Sequence, residues 1–208
     1  MAIKAFVFDC GGVLLGFGDP AAYSAWEARL GIKPGELAKA LWEGEPWTLA
    51  ERGRLSDAEF WQQVGRRLGV EDDQQIAALR EDLWRTWVVN PKVLALVERL
   101  RAQYKVALLS NSTDALEEEL ARRYGVADRF ETIVNSARVG TAKPERAIYE
   151  ETLRRLGVAP AEAVFIDDRA ENVAAAAALG MHVVWFINGD ELERQLGIYI
   201  GQDGREKG

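Results

Sequence analysis

Cysteine and histidine are almost missing from this chain: each occurs once in 208 residues. A single cysteine excludes an internal disulfide and fits a reducing compartment. Cys10 is also unsuited to cysteine-based phosphate chemistry. That would need an Arg six residues on to grip the phosphate, and Gly16 stands there. Strand alternation should turn Cys10 away from its neighbour Asp9 and into a core. The lone histidine, His182, follows Gly180-Met181 at the start of a strand-like run and reads as structural, so a Ser-His-Asp hydrolase lacks its base. No apolar run approaches the ~20 residues of a membrane span. Only Lys4 precedes the first apolar run, unlike a signal peptide. Basic residues never cluster in fives and the net charge is −7, which argues against nucleic acid as a partner. A cytoplasmic, soluble protein is expected. A dinucleotide fold is excluded as well, because Gly11, Gly12, Gly16 and Gly18 do not match G-x-G-x-x-G after the first strand.

What the chain does contain is alternation. Residues 3–8, 106–109, 132–134, 164–166 and 183–186 are short apolar runs rich in β-branched and aromatic residues. Such runs suit strands covered on both faces. Between them lie helical stripes. Val93, Leu96, Val97 and Leu100 share one face behind an Asn90 cap and Pro91 in the first turn. Leu116, Leu120 and Tyr124 are closed by Gly125. Ile148, Tyr149, Leu153 and Leu156 are closed by Gly157, and the Ala-rich stretch from Asn172 to Leu179 by Gly180. From Lys92 onward this predicts an α/β fold, a Rossmann-like parallel sheet with helices on both faces. Ligands then bind at the carboxyl ends of the strands.

Residues 17–89 break the pattern and predict a small all-helical insert without strands. Helices are expected near 20–30, 34–43 and 72–87, with Ser56-Asp57-Ala58-Glu59 forming a capping box for another. Six of the seven tryptophans lie here: Trp26, Trp42, Trp47, Trp61, Trp84 and Trp87. Core and inter-domain packing is the simpler account of them. An aromatic wall over a substrate, or a dimer surface, is the sharper one. The expected division is a core of residues 1–16 and 90–200, a helical insert of 17–89, and a polar tail of 201–208 expected to be disordered.

Four motifs fall at or just beyond the strand ends: Phe8-Asp9-Cys10-Gly11-Gly12-Val13, Leu109-Ser110-Asn111, Ala142-Lys143-Pro144 and Phe165-Ile166-Asp167-Asp168. Each alone is ordinary. Ser110-Asn111 could open a helix near Asp114, and Lys143-Pro144 could begin one with Pro at its first position. In order, they supply a carboxylate nucleophile, a hydroxyl, an ammonium and a carboxylate pair. Phosphate monoester hydrolysis is among the slowest uncatalysed reactions. A carboxylate nucleophile divides it through an aspartyl-phosphate. Carboxylate and phosphate repel, by roughly 4 kcal/mol for a unit pair at about 4 Å and intermediate dielectric. Asp167 and Asp168 would add to that, so the cluster makes sense only with cations. Mg²⁺ suits a site of one or two carboxylates, phosphate and waters. Lys143 would add a fixed charge. Ser110 and the amides near Gly11, Gly12 and Asn111 would donate to phosphoryl oxygens.

In these motifs the chain resembles the haloacid dehalogenase-like superfamily, in its phosphatase branch with a helical cap inserted after the first strand. The resemblance runs from Phe6 to about Asn188 and includes Tyr149 and Asn172. It implies a Mg²⁺-dependent phosphatase acting on a small phosphorylated metabolite. Asp9 is then the nucleophile and a metal ligand, the Gly11 carbonyl a second ligand, and Asp168 the preferred acidic ligand. Asp167 is either a ligand or the residue behind one, and Asn172 holds their loop. In this family a second Asp usually stands where this chain has Gly11, and it protonates the leaving group. Losing such a group costs ~10²–10⁴-fold. Three accounts remain: a leaving group that needs little protonation, a stand-in water or cap residue, or a phospholigand-binding protein with little or no turnover. A bacterial subgroup with Gly at this position implies a sugar phosphate. Haloacid dehalogenation is the less favoured alternative, since its enzymes usually lack the acidic pair.

Overall fold

The computed structural model describes residues 2–17 and 19–200; the tail expected to be disordered lies outside them. Five parallel strands form the sheet: β1 (Ala5–Phe8), β4 (Lys105–Ser110), β5 (Thr132–Asn135), β6 (Ala163–Asp167) and β7 (His182–Trp185), in the order β5-β4-β1-β6-β7. Each expected strand is present, within two residues at either end. Alternation explains the two-sided burial. Phe6, Phe8, Val106, Leu108, Val164 and Ile166 face one side, packed on α6 (Pro91–Leu100) and α11 (Gly189–Leu196). Val7, Ala107, Leu109 and Phe165 face the other, packed on α9 (Arg146–Leu156) and α10 (Ala170–Leu179). Cys10 continues the Phe6–Phe8 side and is buried in that core, as alternation requires.

Caps fix the helix ends. The Asn90 side chain accepts from the Lys92 and Val93 amides, and Gly157 and Gly180 close α9 and α10 in the left-handed conformation. α7 (Leu116–Glu119) runs into a π-helical turn, Leu120–Tyr124, that ends at Gly125. Three short helices escaped the sequence reading: α3 (Glu45–Ala50), α8 (Ser136–Val139) and α11. Pro144 does not begin a helix; its peptide bond with Lys143 is cis and α9 starts at Arg146.

The helical segment contains α1 (Ala21–Leu30), α2 (Glu36–Trp42), α3, α4 (Asp57–Arg67) and α5 (Asp73–Arg85). They surround their own cluster, including Trp26, Leu41, Phe60, Trp61, Val64 and Leu79. The Ser56–Glu59 capping box forms in full. The expectation of no strand between residues 17 and 89 is wrong. β2 (Leu15–Phe17) and β3 (Trp87–Val89) pair antiparallel, with Phe17 opposite Trp87 and Leu15 opposite Val89. Three residues give too little alternation to register as a strand in sequence. The ribbon joins the chain's exit from β1 to its return at α6, so it fixes where the helices sit above the strand ends. The helix expected to reach Trp87 ends at Arg85 for this reason.

Candidate active site

Sheet register brings the motifs together. Phe8 pairs with Leu108 on one side and Ile166 on the other. Asp9 and Asp167, the next residues, and Ser110, two past Leu108, therefore emerge at one edge. Lys143 arrives from the loop after α8 and lies buried among them. Its Nζ donates to Asp9 Oδ1 at 2.6 Å, to Asp167 Oδ2 at 2.7 Å and to the Leu109 carbonyl at 3.1 Å.

The three carboxylates are not equivalent. Asp167 is wholly buried, and its oxygens also accept from Asn172 Nδ2 at 3.0 and 3.1 Å and from the Arg169 amide at 2.8 Å. Asn172 thus holds the acidic loop as the sequence suggests, while Tyr149 Oη donates to the Asn172 carbonyl. Asp168 is exposed and has its side chain turned toward the open edge. One oxygen from each of Asp9, Asp167 and Asp168 falls within 4.8 Å of the others. This all-oxygen, multiply charged donor set fits a hard divalent cation such as Mg²⁺. Burial pushes the Asp9 carboxyl up to about 7 against the pull of Lys143, with Asp167 pushing it further. Burial likewise raises Asp168, helped by Asp167. Burial opposes the Lys143 charge, but Asp9 and Asp167 hold its pKa above the usual lysine value. An added cation would favour the charged carboxylates.

One expected ligand contact is spent on the protein itself. The Gly12 amide, read as a phosphate donor, donates to the Leu15 carbonyl at 2.8 Å. Gly12 serves by lacking a side chain, because a Cβ there would overlap Asp168. The Asn111 side chain clamps the lysine loop from both ends. Its Oδ1 accepts from the Lys143 amide at 2.8 Å, and its Nδ2 donates to the Lys143 carbonyl at 2.9 Å. Ser110 is buried but lines the cavity beside Asp9.

Above this edge lies a cavity of about 470 Å³, with the carboxylates and Lys143 at one end and the helical segment over it. Five of the six tryptophans of that segment reach it: Trp42, Trp47, Trp61, Trp84 and Trp87. Trp26 instead packs in the helical core, where its Nε1 donates to Asp82. Polar ties pin the helices in place. Asn111 Nδ2 donates to Glu51 at 3.2 Å, Thr113 Oγ1 to Asp57 at 2.7 Å, Arg52 to Glu145 at 2.6 Å and Arg123 to Glu81 at 2.6 Å. Sequence gave no sign of these partners, since each pair is separated by at least 42 residues.

A family model for haloacid dehalogenase-like hydrolases matches residues 3–180. The chain therefore belongs to the haloacid dehalogenase-like hydrolase family, and it is an enzyme of that family. It is 29% identical to sesquiterpene phosphatase astK of Aspergillus oryzae, over 86% of this chain and 87% of that one. It is 27% identical to D-ribitol-5-phosphate phosphatase of Bacteroides thetaiotaomicron, over 95% and 98%. Two other matched relatives are longer proteins, of which this chain spans 18% and 36%. Among solved structures it is similar to a haloacid dehalogenase family enzyme of Bacteroides thetaiotaomicron in complex with magnesium and inorganic phosphate. There the TM-score is 0.75 at 25% identity, covering 90% of this chain and 96% of that one. Among the described residues no helix is long and apolar enough to cross a membrane.

Proposed function

We propose that this protein is a Mg²⁺-dependent phosphatase that hydrolyses a small phosphorylated metabolite through an aspartyl-phosphate at Asp9, with the helical segment 17–89 acting as a cap. The observation that carries the reading is Lys143 Nζ held between Asp9 and Asp167 beside the exposed Asp168 carboxylate. The magnesium and phosphate complex of a related enzyme and the phosphatase names of two relatives support it.

Asp9 and Asp168 would hold Mg²⁺ with the Gly11 carbonyl, while Asp167, its oxygens taken by Lys143, Asn172 and Arg169, stands behind them. When bound, Mg²⁺ supplies positive charge beside the phosphoryl oxygens. Asp9 attacks phosphorus and the phosphorus–oxygen bond to the alcohol breaks. Lys143 keeps Asp9 ionised and in line. Ser110 Oγ donates to a phosphoryl oxygen. Gly11 has no side chain, so the leaving alkoxide takes its proton from water. A second water then attacks the acyl phosphate at phosphorus, which releases inorganic phosphate and restores the Asp9 carboxylate.

The test is phosphate release by purified protein with Mg²⁺ over a panel of phosphate esters, against an Asp9→Asn control. Release above that control is expected; none from any ester would refute the reading. A second reading, phospholigand binding without turnover, is favoured by Gly11 alone. It predicts thermal stabilisation by esters with no phosphate released.

A further inference from the structure

We infer that the alcohol released from this site is apolar, an alkyl, isoprenoid or aryl group rather than a sugar. This rests on the phosphatase reading above and concerns the other end of the same cavity.

Three observations converge. The first is the wall. Trp42, Trp47, Phe60, Trp61, Trp84 and Trp87 line the cavity above the carboxylates. The rings are braced edge to face, Trp42 on Trp47 at 4.9 Å, Trp47 on Phe60 at 5.8 Å and Phe60 on Trp61 at 5.7 Å, which holds the surface rigid.

The second is how the polar side chains of the wall are used. A site that selects a polyol needs donors and acceptors left free for its hydroxyls. Here both Glu51 oxygens accept, one from Arg52 and one from Asn111. Both Asp57 oxygens accept too, from Arg80 and Thr113. Arg169 is paired with Glu171. The bonds of Asn111 to Glu51 and of Thr113 to Asp57 tie the helices to the core, and the wall keeps one buried hydroxyl without a hydrogen-bond partner among the described residues, Tyr23 Oη.

The third is the join between the two ends. Gly11, two residues after Asp9, lines the cavity, and Trp87 flanks it. A Cβ at Gly11 would meet the far edge of that indole at 3.7 Å. The first carbons beyond the ester oxygen therefore meet an aromatic surface. Phe17 and Trp42, 49% and 42% exposed, continue that surface to the rim.

Leaving-group basicity must be held constant in the test, so the esters compared are all phosphates of primary alcohols: 1-octyl phosphate and geranyl phosphate against ribitol 5-phosphate and glycerol 3-phosphate. Acetyl phosphate serves as a small positive control. The full chain with Mg²⁺ should show kcat/KM for the apolar esters roughly a hundredfold above the polyol esters. Trp42→Ala should shrink that ratio. Equal or higher kcat/KM for the polyol esters, with turnover intact, would overturn this inference and leave the phosphatase reading standing. If nothing, acetyl phosphate included, is turned over above the Asp9→Asn control, the phosphatase reading fails. Tryptophan fluorescence then decides: quenching by octyl phosphate but not by ribitol 5-phosphate supports the apolar site, and the reverse or no quenching overturns it.

Discussion

Gly12 gives Asp168 its place. Its backbone is left-handed, at φ +90°, and a Cβ built on it would overlap Asp168 Oδ2 and lie 2.7 Å from its Cγ. The Asp168 carboxylate can hold this position against the loop after β1 only because residue 12 has no side chain. Gly12→Ala should therefore act twice. The left-handed conformation costs about 1–2 kcal/mol for a residue with a Cβ, which chemical denaturation would register. Displacement of Asp168 should raise the Mg²⁺ concentration for half-maximal activity at least ~tenfold. An Asp168→Asn variant should show the second effect without the first.

Lys143 neutralises two buried carboxylates at once. Lys143→Met leaves Asp9 and Asp167 facing each other with no cation between them, which should cost roughly 3–5 kcal/mol of stability as well as activity. Adding Asp167→Asn removes one of the uncompensated charges and should recover part of the stability but none of the turnover. Urea unfolding of the single and double variants checks this.

The contact between α5 and the turn after α7 is set for acid release. Hydrogen bonds from Arg123 hold Glu81 down to about 2, against a usual 4.5, with burial opposing. A carboxyl lowered on folding stabilises the protein above its unfolded pKa and loses that contribution as pH falls through its folded one. The gain from Glu81 should be complete above pH 4.5 and fade toward pH 2. Melting temperatures of the wild type and Glu81→Gln should differ at neutral pH and converge across that window.

Gly11→Asp places a carboxylate two residues after Asp9, where the family resemblance implies a proton donor to the leaving group. Gly11 is not left-handed, and its Cβ would make an ordinary contact with Trp87. The variant should fold. It should raise kcat for an alkyl phosphate by up to ~10²-fold and leave an acyl phosphate, whose leaving group needs no proton, nearly unchanged. Steady-state kinetics on the two ester types measures this.

The strands and the site edge were readable because a strand buried on both faces must be apolar along its length. The polar residue that ends such a run then stands at the sheet's edge. Asp9, Ser110 and Asp167 follow from that rule, whereas Asn172, the third residue of α10, is implied only by the family resemblance. The β2–β3 ribbon was not readable, because Trp87-Val88-Val89 is as short as a loop fragment and its partner lies 72 residues earlier. The Gly12 amide is expected to be a ligand donor, whereas it serves the Leu15 carbonyl. Spacing cannot tell an amide that faces a ligand from one that faces its own turn. The tryptophans show the same limit: packing is the default for a buried indole, and only the tertiary fold shows that five of them line the cavity, Trp61 while also packing in the helical core, and that Trp26 does not.

The most direct measurement is acid-quench mass spectrometry of the enzyme during turnover of an ester with Mg²⁺ present. One hydroxylamine-sensitive phosphoryl group on the peptide carrying Asp9, absent from Asp9→Asn, is the predicted result. Steady phosphate release with that peptide unmodified at every quench time, or undiminished release by Asp9→Asn, would contradict a covalent intermediate at Asp9.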